Sequence, residues 1–308
     1  MSAAPKTPSA PPAGERMPVT RPHLAEKKRL GEPIVMVTAY DYPSAQVAEE
    51  AGVDMVLVGD SAAMTVLGYN STVPVSVDEL IMLAGAVRRG LTTPFMVADL
   101  PFGSYEGSDE QAIATAQRFV KEAGADAVKL EGGGAMVERA HAIVRAGIPV
   151  QGHVGLTPQT ATTLGGYRAQ GRTAEKALNV ARDALALQDA GCFSIVFEAI
   201  PAAVSELVME RMEVPIIGIG AGVVTDGQVL VFHDLLGIYD GLNPRFAKRY
   251  ANVKQDMIAG VTAYANEVRA ARFPAPEHTY SIDPDELERF KARLPEFAGN
   301  ERLTHFDW

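Results

Sequence analysis

Short apolar runs alternate along the chain with longer segments whose apolar residues recur every three or four positions. Glycine or proline punctuates most of the joins. That alternation predicts strands and helices in turn. Strand-length runs stand at residues 33–39, 54–58, 94–98, 126–130, 149–152, 193–197 and 215–219, and the ambiguous string at 229–232 is read as an eighth. Helical spacing fills residues 23–30 and 44–51, and Leu80, Leu83, Ala84 and Val87 repeat along one face behind Ser76 and Glu79, which have capping-box spacing. Ser108 and Gln111 have the same spacing ahead of Ile113, Ala116, Val120 and Ala123. Further helices are expected at 178–190, at 201–212 and at Val253, Met257, Val261, Tyr264 and Val268.

Four joins share one design: a helix ending in Ala-Gly, a short gap and a strand. They are Ala51-Gly52, Ala123-Gly124, Ala146-Gly147 and Ala190-Gly191. Glycine just past a helix end supplies a left-handed cap, so the recurrence marks repeated βα units. Eight short apolar strands alternating with helices predict an α/β fold, a (β/α)8 TIM barrel, over an open doubly wound sheet. The expected organisation is a disordered extension over residues 1–22, rich in Pro, Ala and Ser, a barrel domain over 23–272, and a charged, proline-punctuated tail over 273–308.

Composition narrows the function classes. The 308 residues are 47% hydrophobic and carry a net charge of −10, with basic residues scattered rather than bunched into a stripe that could track phosphates. Nucleic acid is excluded as an expected partner. No apolar run approaches the ~20 residues of a membrane span, so no membrane partner is expected. The lone cysteine, Cys192, cannot form an intrachain disulfide and fits a reducing, cytoplasmic setting, with core packing favoured over a nucleophilic role.

The candidate chemistry lies where apolar runs end. Asp60, Asp99 and Glu131 close three successive strands, and three carboxylates converging on one barrel face repel unless a cation sits among them. A hard divalent ion such as Mg²⁺ suits oxygen ligands. Lys129, two residues before Glu131, leaves the same strand face and needs an anionic partner, either Glu131 or a substrate carboxylate. His153 is expected just after the fifth strand, as a hydrogen-bonding group or an accessory to catalysis. Glu198 ends an apolar strand, where partial burial would suit a general base. Gly218-Ile-Gly-Ala-Gly222 lacks the third glycine of a dinucleotide fingerprint, so close backbone packing is expected there.

Eight blocks carry a family resemblance: VTAYDYPSA (37–45), VGDSAAMTVLGY (58–69), VADLPFGSY (97–105), AVKLEGG (127–133), QGHVGLTPQ (151–159), FEAIP (197–201), GIGAG (218–222) and DGQVLVFHDLLG (226–237). In this order, within a span of about 23–272, they resemble the ketopantoate hydroxymethyltransferases. The resemblance implies transfer of a one-carbon unit from 5,10-methylenetetrahydrofolate to 3-methyl-2-oxobutanoate, giving 2-dehydropantoate, through a Mg²⁺-stabilised enolate. It places the metal on Asp60 and Asp99, joined by Glu131 directly or through water. The same resemblance implies that Ser61 and Lys129 bind the oxo acid and that Glu198 is the base. It also implies a large ring-like homo-oligomer, a decamer, whose subunits share the last helix.

Two rival readings are open at this level. A Mg²⁺-dependent lyase or mutase of the phosphoenolpyruvate mutase and isocitrate lyase type would also bind an α-oxo acid in a barrel, but such enzymes use a catalytic cysteine loop, and Cys192 stands at a strand start. A catalytically silent binding barrel would not need polar groups at every strand end.

Overall fold

The structure, a computed structural model, describes residues 16–241 and 244–294. Its contacts divide the chain into two units, residues 1–252 and 253–308.

In the first unit, eight parallel strands close into a barrel in chain order. They are β1 (Ile34–Thr38), β2 (Met55–Val58), β3 (Phe95–Asp99), β4 (Ala127–Lys129), β5 (Val150–Gly155), β6 (Ser194–Glu198), β7 (Ile216–Ile219) and β8 (Gly227–Leu230). The helices are α1 (Arg21–Leu30), α2 (Tyr42–Ala51), the short α3 (Ala62–Thr65), α4 (Val77–Gly90), α5 (Asp109–Ala123), α6 (Ala135–Arg145), α7 (Ala174–Asp189), α8 (Ala202–Met209) and α9 (Phe232–Leu236). Each of the four Ala-Gly joins carries its glycine at positive φ, between 72° and 94°. That is the left-handed cap the sequence pattern requires.

Side-chain alternation sorts every strand. Ile34, Met36, Met55, Leu57, Phe95, Val97, Ala127, Val196, Ile217, Ile219 and Val229 pack together inside the barrel. The intervening residues, among them Val56, Val58, Met96, Ala98, Val128, Ile195 and Phe197, pack with the helices. Because the period is two, the inward set continues as polar groups at the strand ends: Asp99 follows Val97, Lys129 and Glu131 follow Ala127, and Glu198 follows Val196. One sequence pattern thus builds an apolar plug and a polar floor above it.

Several boundaries differ from those expected. β5 runs three residues past Gly152, pairing Gln151 to Gly155 with Ser194 to Glu198, so His153 lies within the strand and points inward rather than following it. β8 begins two residues earlier than Val229, because Gly227 and Gln228 pair with both Ile34–Val35 and Ile217–Gly218. At α4 the capping box forms as predicted, with Glu79 accepting from Ser76 N at 2.7 Å and Glu79 N donating to Ser76 Oγ at 3.2 Å. At α5 only half of it forms: Ser108 Oγ accepts from Gln111 N at 3.2 Å, while the Gln111 amide turns to Gly107 N and Gly103 O.

Cys192 is 1% exposed and packs in the outer core, and burial pushes its thiol up to about 12. In the glycine run, an added Cβ would fall 2.5 Å from Thr225 Oγ1 at Gly218 and 2.6 Å from Phe246 at Gly220, the close packing expected there. The extension expected over residues 1–22 lies outside the described residues up to residue 15. From Arg16 the chain is placed: Arg16 bonds Glu49, Val19 N donates to Thr93 O at 2.8 Å, and α1 begins at Arg21.

The second unit contains α10 (Val253–Arg269) and α11 (Pro284–Arg293). Tyr264 meets Phe273 edge-on at 5.5 Å, and the Asp283 carboxylate caps α11 by accepting from Asp285 N and Glu286 N. Residues 295–308 of the expected tail lie outside the described residues. Among the described residues no helix is long and apolar enough to cross a membrane.

Candidate active site

The C-terminal ends of the strands open into a cavity of about 420 Å³ lined by Asp60, Ser61, Asp99, Lys129, Glu131, His153 and Glu198. All seven residues singled out from the sequence therefore face one space.

Asp60 and Ser61 follow β2 at the turn into α3. Gly59 leaves room beside them, because an added Cβ would lie 2.8 Å from Ser61 Oγ and turn the serine aside. Ser61 Oγ is held by the Tyr40 hydroxyl at 2.8 Å, and burial pushes that phenol up to about 12. Asp60 N donates to Asp99 Oδ2 at 2.9 Å, which locks the β2 and β3 ends together. Asp99 and Lys129 are register partners on β3 and β4, and Lys129 Nζ stands 2.7 Å from Asp99 Oδ1. Lys129 was expected to pair with Glu131 or with substrate. In the structure its nearer carboxylate is Asp99, and Glu131 is 4.0 Å away.

Glu131 is turned elsewhere. Its Oε2 accepts from Gln159 N at 3.0 Å, and its Oε1 lies 3.4 Å from His153 Nδ1. The other imidazole nitrogen, Nε2, lies 3.2 Å from Glu198 Oε2. The Glu198 side chain is 14% exposed, between apolar neighbours on its strand and the open cavity.

Burial, then the charges of Asp99 and Glu131, push the Asp60 carboxyl well above the usual range. Burial also raises Asp99, although Lys129 opposes it. Burial acts to raise Glu131, but His153, Lys129 and the Gln159 amide outweigh it and hold it low. Lys129 is buried yet raised by the carboxylates around it. Burial and Lys129 disfavour a charged His153, but Glu131 and Glu198 carry its pKa up to about 9. The floor thus sets four carboxylates against two cations.

That formal excess of two negative charges, whose cost shows in the raised Asp60 and Asp99 carboxyls, is carried by oxygen donors and fits a hard divalent cation. Asp60 and Asp99 adjoin, whereas Glu131 reaches them only through Gln159 and Lys129. Among the described residues no three His, Cys, Asp or Glu side chains stand at metal-ligand spacing, so the expected trio does not form a closed ligand shell.

A model of the ketopantoate hydroxymethyltransferase family matches residues 18–276. The chain belongs to the ketopantoate hydroxymethyltransferase family. A 3-methyl-2-oxobutanoate hydroxymethyltransferase of Moorella thermoacetica is 53% identical over 266 residues, covering 86% of this chain and 99% of the relative. The protein of that name from Carboxydothermus hydrogenoformans is 50% identical over 271 residues, covering 88% and 98%. Among solved structures, phosphonopyruvate hydrolase aligns with a TM-score of 0.56 at 12% identity over 91% of this chain and 97% of its own. A 2,3-dimethylmalate lyase, described as a phosphoenolpyruvate mutase/isocitrate lyase superfamily member, gives 0.51 at 16% identity over 92% and 100%. At that identity they share the barrel. The 50% relatives place the chain among hydroxymethyltransferases rather than with the lyases.

In this hydroxymethyltransferase the residue that ties the site together is Gln159, which sequence reasoning passed over. Its Nε2 donates to Asp60 Oδ2 and to Leu100 O, both at 2.9 Å, its Oε1 accepts from the Tyr105 hydroxyl at 2.7 Å, and its backbone N holds Glu131. Tyr105 in turn accepts from Glu131 N at 3.2 Å. Both residues stand inside blocks already quoted, VADLPFGSY and QGHVGLTPQ, but a neutral amide in a Thr- and Gly-rich loop carries no signal of charge or period.

Proposed function

We propose that the chain transfers a hydroxymethyl group from 5,10-methylenetetrahydrofolate to 3-methyl-2-oxobutanoate, with water supplying the hydroxyl oxygen, to give 2-dehydropantoate and tetrahydrofolate. The observation that carries this reading is the position of Glu198. It is a largely shielded carboxylate that opens onto the same cavity as Asp60, Asp99 and Lys129, with an imidazole 3.2 Å behind it. Family membership supports the substrate.

Asp60 and Asp99 would hold Mg²⁺ directly, with Glu131 acting through water. Bound there, the ion supplies Lewis acidity at the keto oxygen and offsets the negative excess of the floor. Lys129 and Ser61 bind the carboxylate end of the oxo acid, and Tyr40 fixes the Ser61 hydroxyl that does so. Glu198 takes the C3 proton, and the electron pair it frees forms the enolate. The enolate C3 bonds to the one-carbon unit while both of that carbon's bonds to folate nitrogens break, a water oxygen takes the remaining place, and the nitrogens leave protonated in tetrahydrofolate. His153, whose pKa the flanking Glu131 and Glu198 raise, aims Glu198 without itself taking the proton. The apolar wall of Leu57, Val196, Ile219 and Val229 beneath the site excludes water from the reacting carbon.

Incubation with both substrates and Mg²⁺ tests the reading. Formation of 2-dehydropantoate that requires the folate and the metal is expected. Absence of product from folded protein with both substrates contradicts it.

A further inference from the structure

The block DGQVLVFHDLLG forms β8 and α9, and nothing in the proton transfer above uses it. Its Asp234 lies on α9, just after β8, and lines the cavity on the side where β8 meets β1, two strands round from Glu198. Among the described residues its carboxylate makes no hydrogen bond and no ion pair. Arg249, whose charge reaches it, is turned toward Asp240 at 3.7 Å and the Tyr239 carbonyl at 3.4 Å. Burial pushes the Asp234 carboxyl up to about 6. A half-buried carboxylate with no donor among the described residues is costly unless a ligand brings one.

The two substrates differ in what they can offer. The oxo acid carries only acceptor oxygens and a negative charge, so Asp234 repels it. The pterin ring of a folate presents an N3–H and a 2-amino group side by side, a pair of parallel donors that matches the two oxygens of a carboxylate. The same cavity is also lined by Met64, Tyr167, Tyr239 and Phe246, flat or flexible surfaces of the kind that accept an aromatic ring, together with Arg168 and Arg245.

We propose that Asp234 is the recognition residue for the pterin ring, its two oxygens accepting from N3–H and the 2-amino group. This rests on the reading that folate is the one-carbon donor. It places the one-carbon unit between Asp234, after β8, and Glu198, at the end of β6, with the oxo acid on the polar floor.

The test uses the full-length Asp234→Asn protein and two readouts. The KM for 5,10-methylenetetrahydrofolate is expected to rise about 10- to 100-fold, the range for losing hydrogen bonds to a charged group. Exchange of the C3 proton of the oxo acid in deuterated water without folate is expected to stay within about twofold of the parent. In calorimetry the parent should bind tetrahydrofolate at least about tenfold tighter than its 2-desamino analogue, and Asp234→Asn should bind the two alike. An unchanged folate KM, or retained discrimination between the two ligands, overturns the assignment, as does exchange that falls in parallel with turnover. If the parent exchanges the proton but uses no folate, the donor reading fails and the assignment fails with it. Parent turnover with folate and an unaffected Asp234→Asn removes the assignment alone.

Discussion

His153 Nε2 stands 3.2 Å from Glu198 Oε2, a charge contact between β5 and β6 without in-line hydrogen-bond geometry. Its Nδ1 faces both Glu131 Oε1 and Lys129 Nζ at 3.4 Å, so the imidazole bridges two carboxylates that raise its pKa against the opposing charge of Lys129. Replacing it frees Glu198 to turn, and a misplacement of about 1 Å costs roughly 100-fold in a positioned step. For His153→Asn we expect C3 proton exchange of the oxo acid to fall about 10- to 100-fold while oxo-acid affinity changes less than about threefold. Exchange rates by NMR and calorimetry of oxo-acid binding check this.

Gln159 makes its contacts in a fixed sense. Leu100 O can only accept, so the nitrogen of the amide must face it, and the second N–H then points at Asp60 Oδ2. Gln159→Leu leaves Asp60, the Leu100 carbonyl and the Tyr105 hydroxyl short of partners. Unfolding of the metal-free protein in urea should show a loss of roughly 2–4 kcal/mol, and Mg²⁺ affinity should fall at least about tenfold. Gln159→Glu should lower Mg²⁺ affinity further in the same calorimetric titration, because it sets another carboxylate against Asp60.

The barrel was legible because its strands are short, apolar and bounded by Gly or Pro, and because four helices end in the same Ala-Gly cap. The floor was legible wherever a charge closes an apolar run, as at Asp60, Asp99, Lys129 and Glu198. It was less legible at β5, where Gly152 and His153 look like the end of a strand although pairing with β6 carries the strand to Gly155. Contacts across strands left no local mark: the partner of Lys129 is Asp99, 30 positions away in sequence, and parallel register alone brings them level. Gln159 acts from a short 3-10 turn, Pro158–Thr160, through four hydrogen bonds to Asp60, Leu100, Tyr105 and Glu131, and no periodicity points to such a hub.

Gly59 is where the β2 turn runs tightest against the site. A methyl group there would sit 2.8 Å from Ser61 Oγ and 3.5 Å from Asp99 Oδ2. The serine must then rotate away from Tyr40. Gly59→Ala should fold, yet raise the KM for the oxo acid about tenfold, the effect of losing one hydrogen bond to a charged group. Steady-state kinetics with folate saturating measures it.

Glu49 ties the N-terminal segment and the β3 approach to α2. It accepts from Thr92 N at 2.7 Å, Thr93 N at 2.9 Å and Thr93 Oγ1 at 2.6 Å, and pairs with Arg16 at 3.3 Å. Burial opposes its charge, but these donors outweigh burial and lower its pKa from the ordinary 4.5. A depressed carboxylate stabilises the fold above its unfolded value and loses that contribution as pH falls through the folded one. Glu49→Gln should therefore cost roughly 1–3 kcal/mol near pH 7, with the gap from the parent closing below about pH 4. Urea unfolding at several pH values reads the gap directly.

Central to the account is Glu198 as the base that opens the reaction before folate takes part. Glu198→Gln keeps the size and loses the basicity. Its C3 proton exchange with 3-methyl-2-oxobutanoate and Mg²⁺ in deuterated water, without folate, should fall at least about 100-fold, the scale of a lost general base. Exchange at the parent rate from the folded variant would contradict the account.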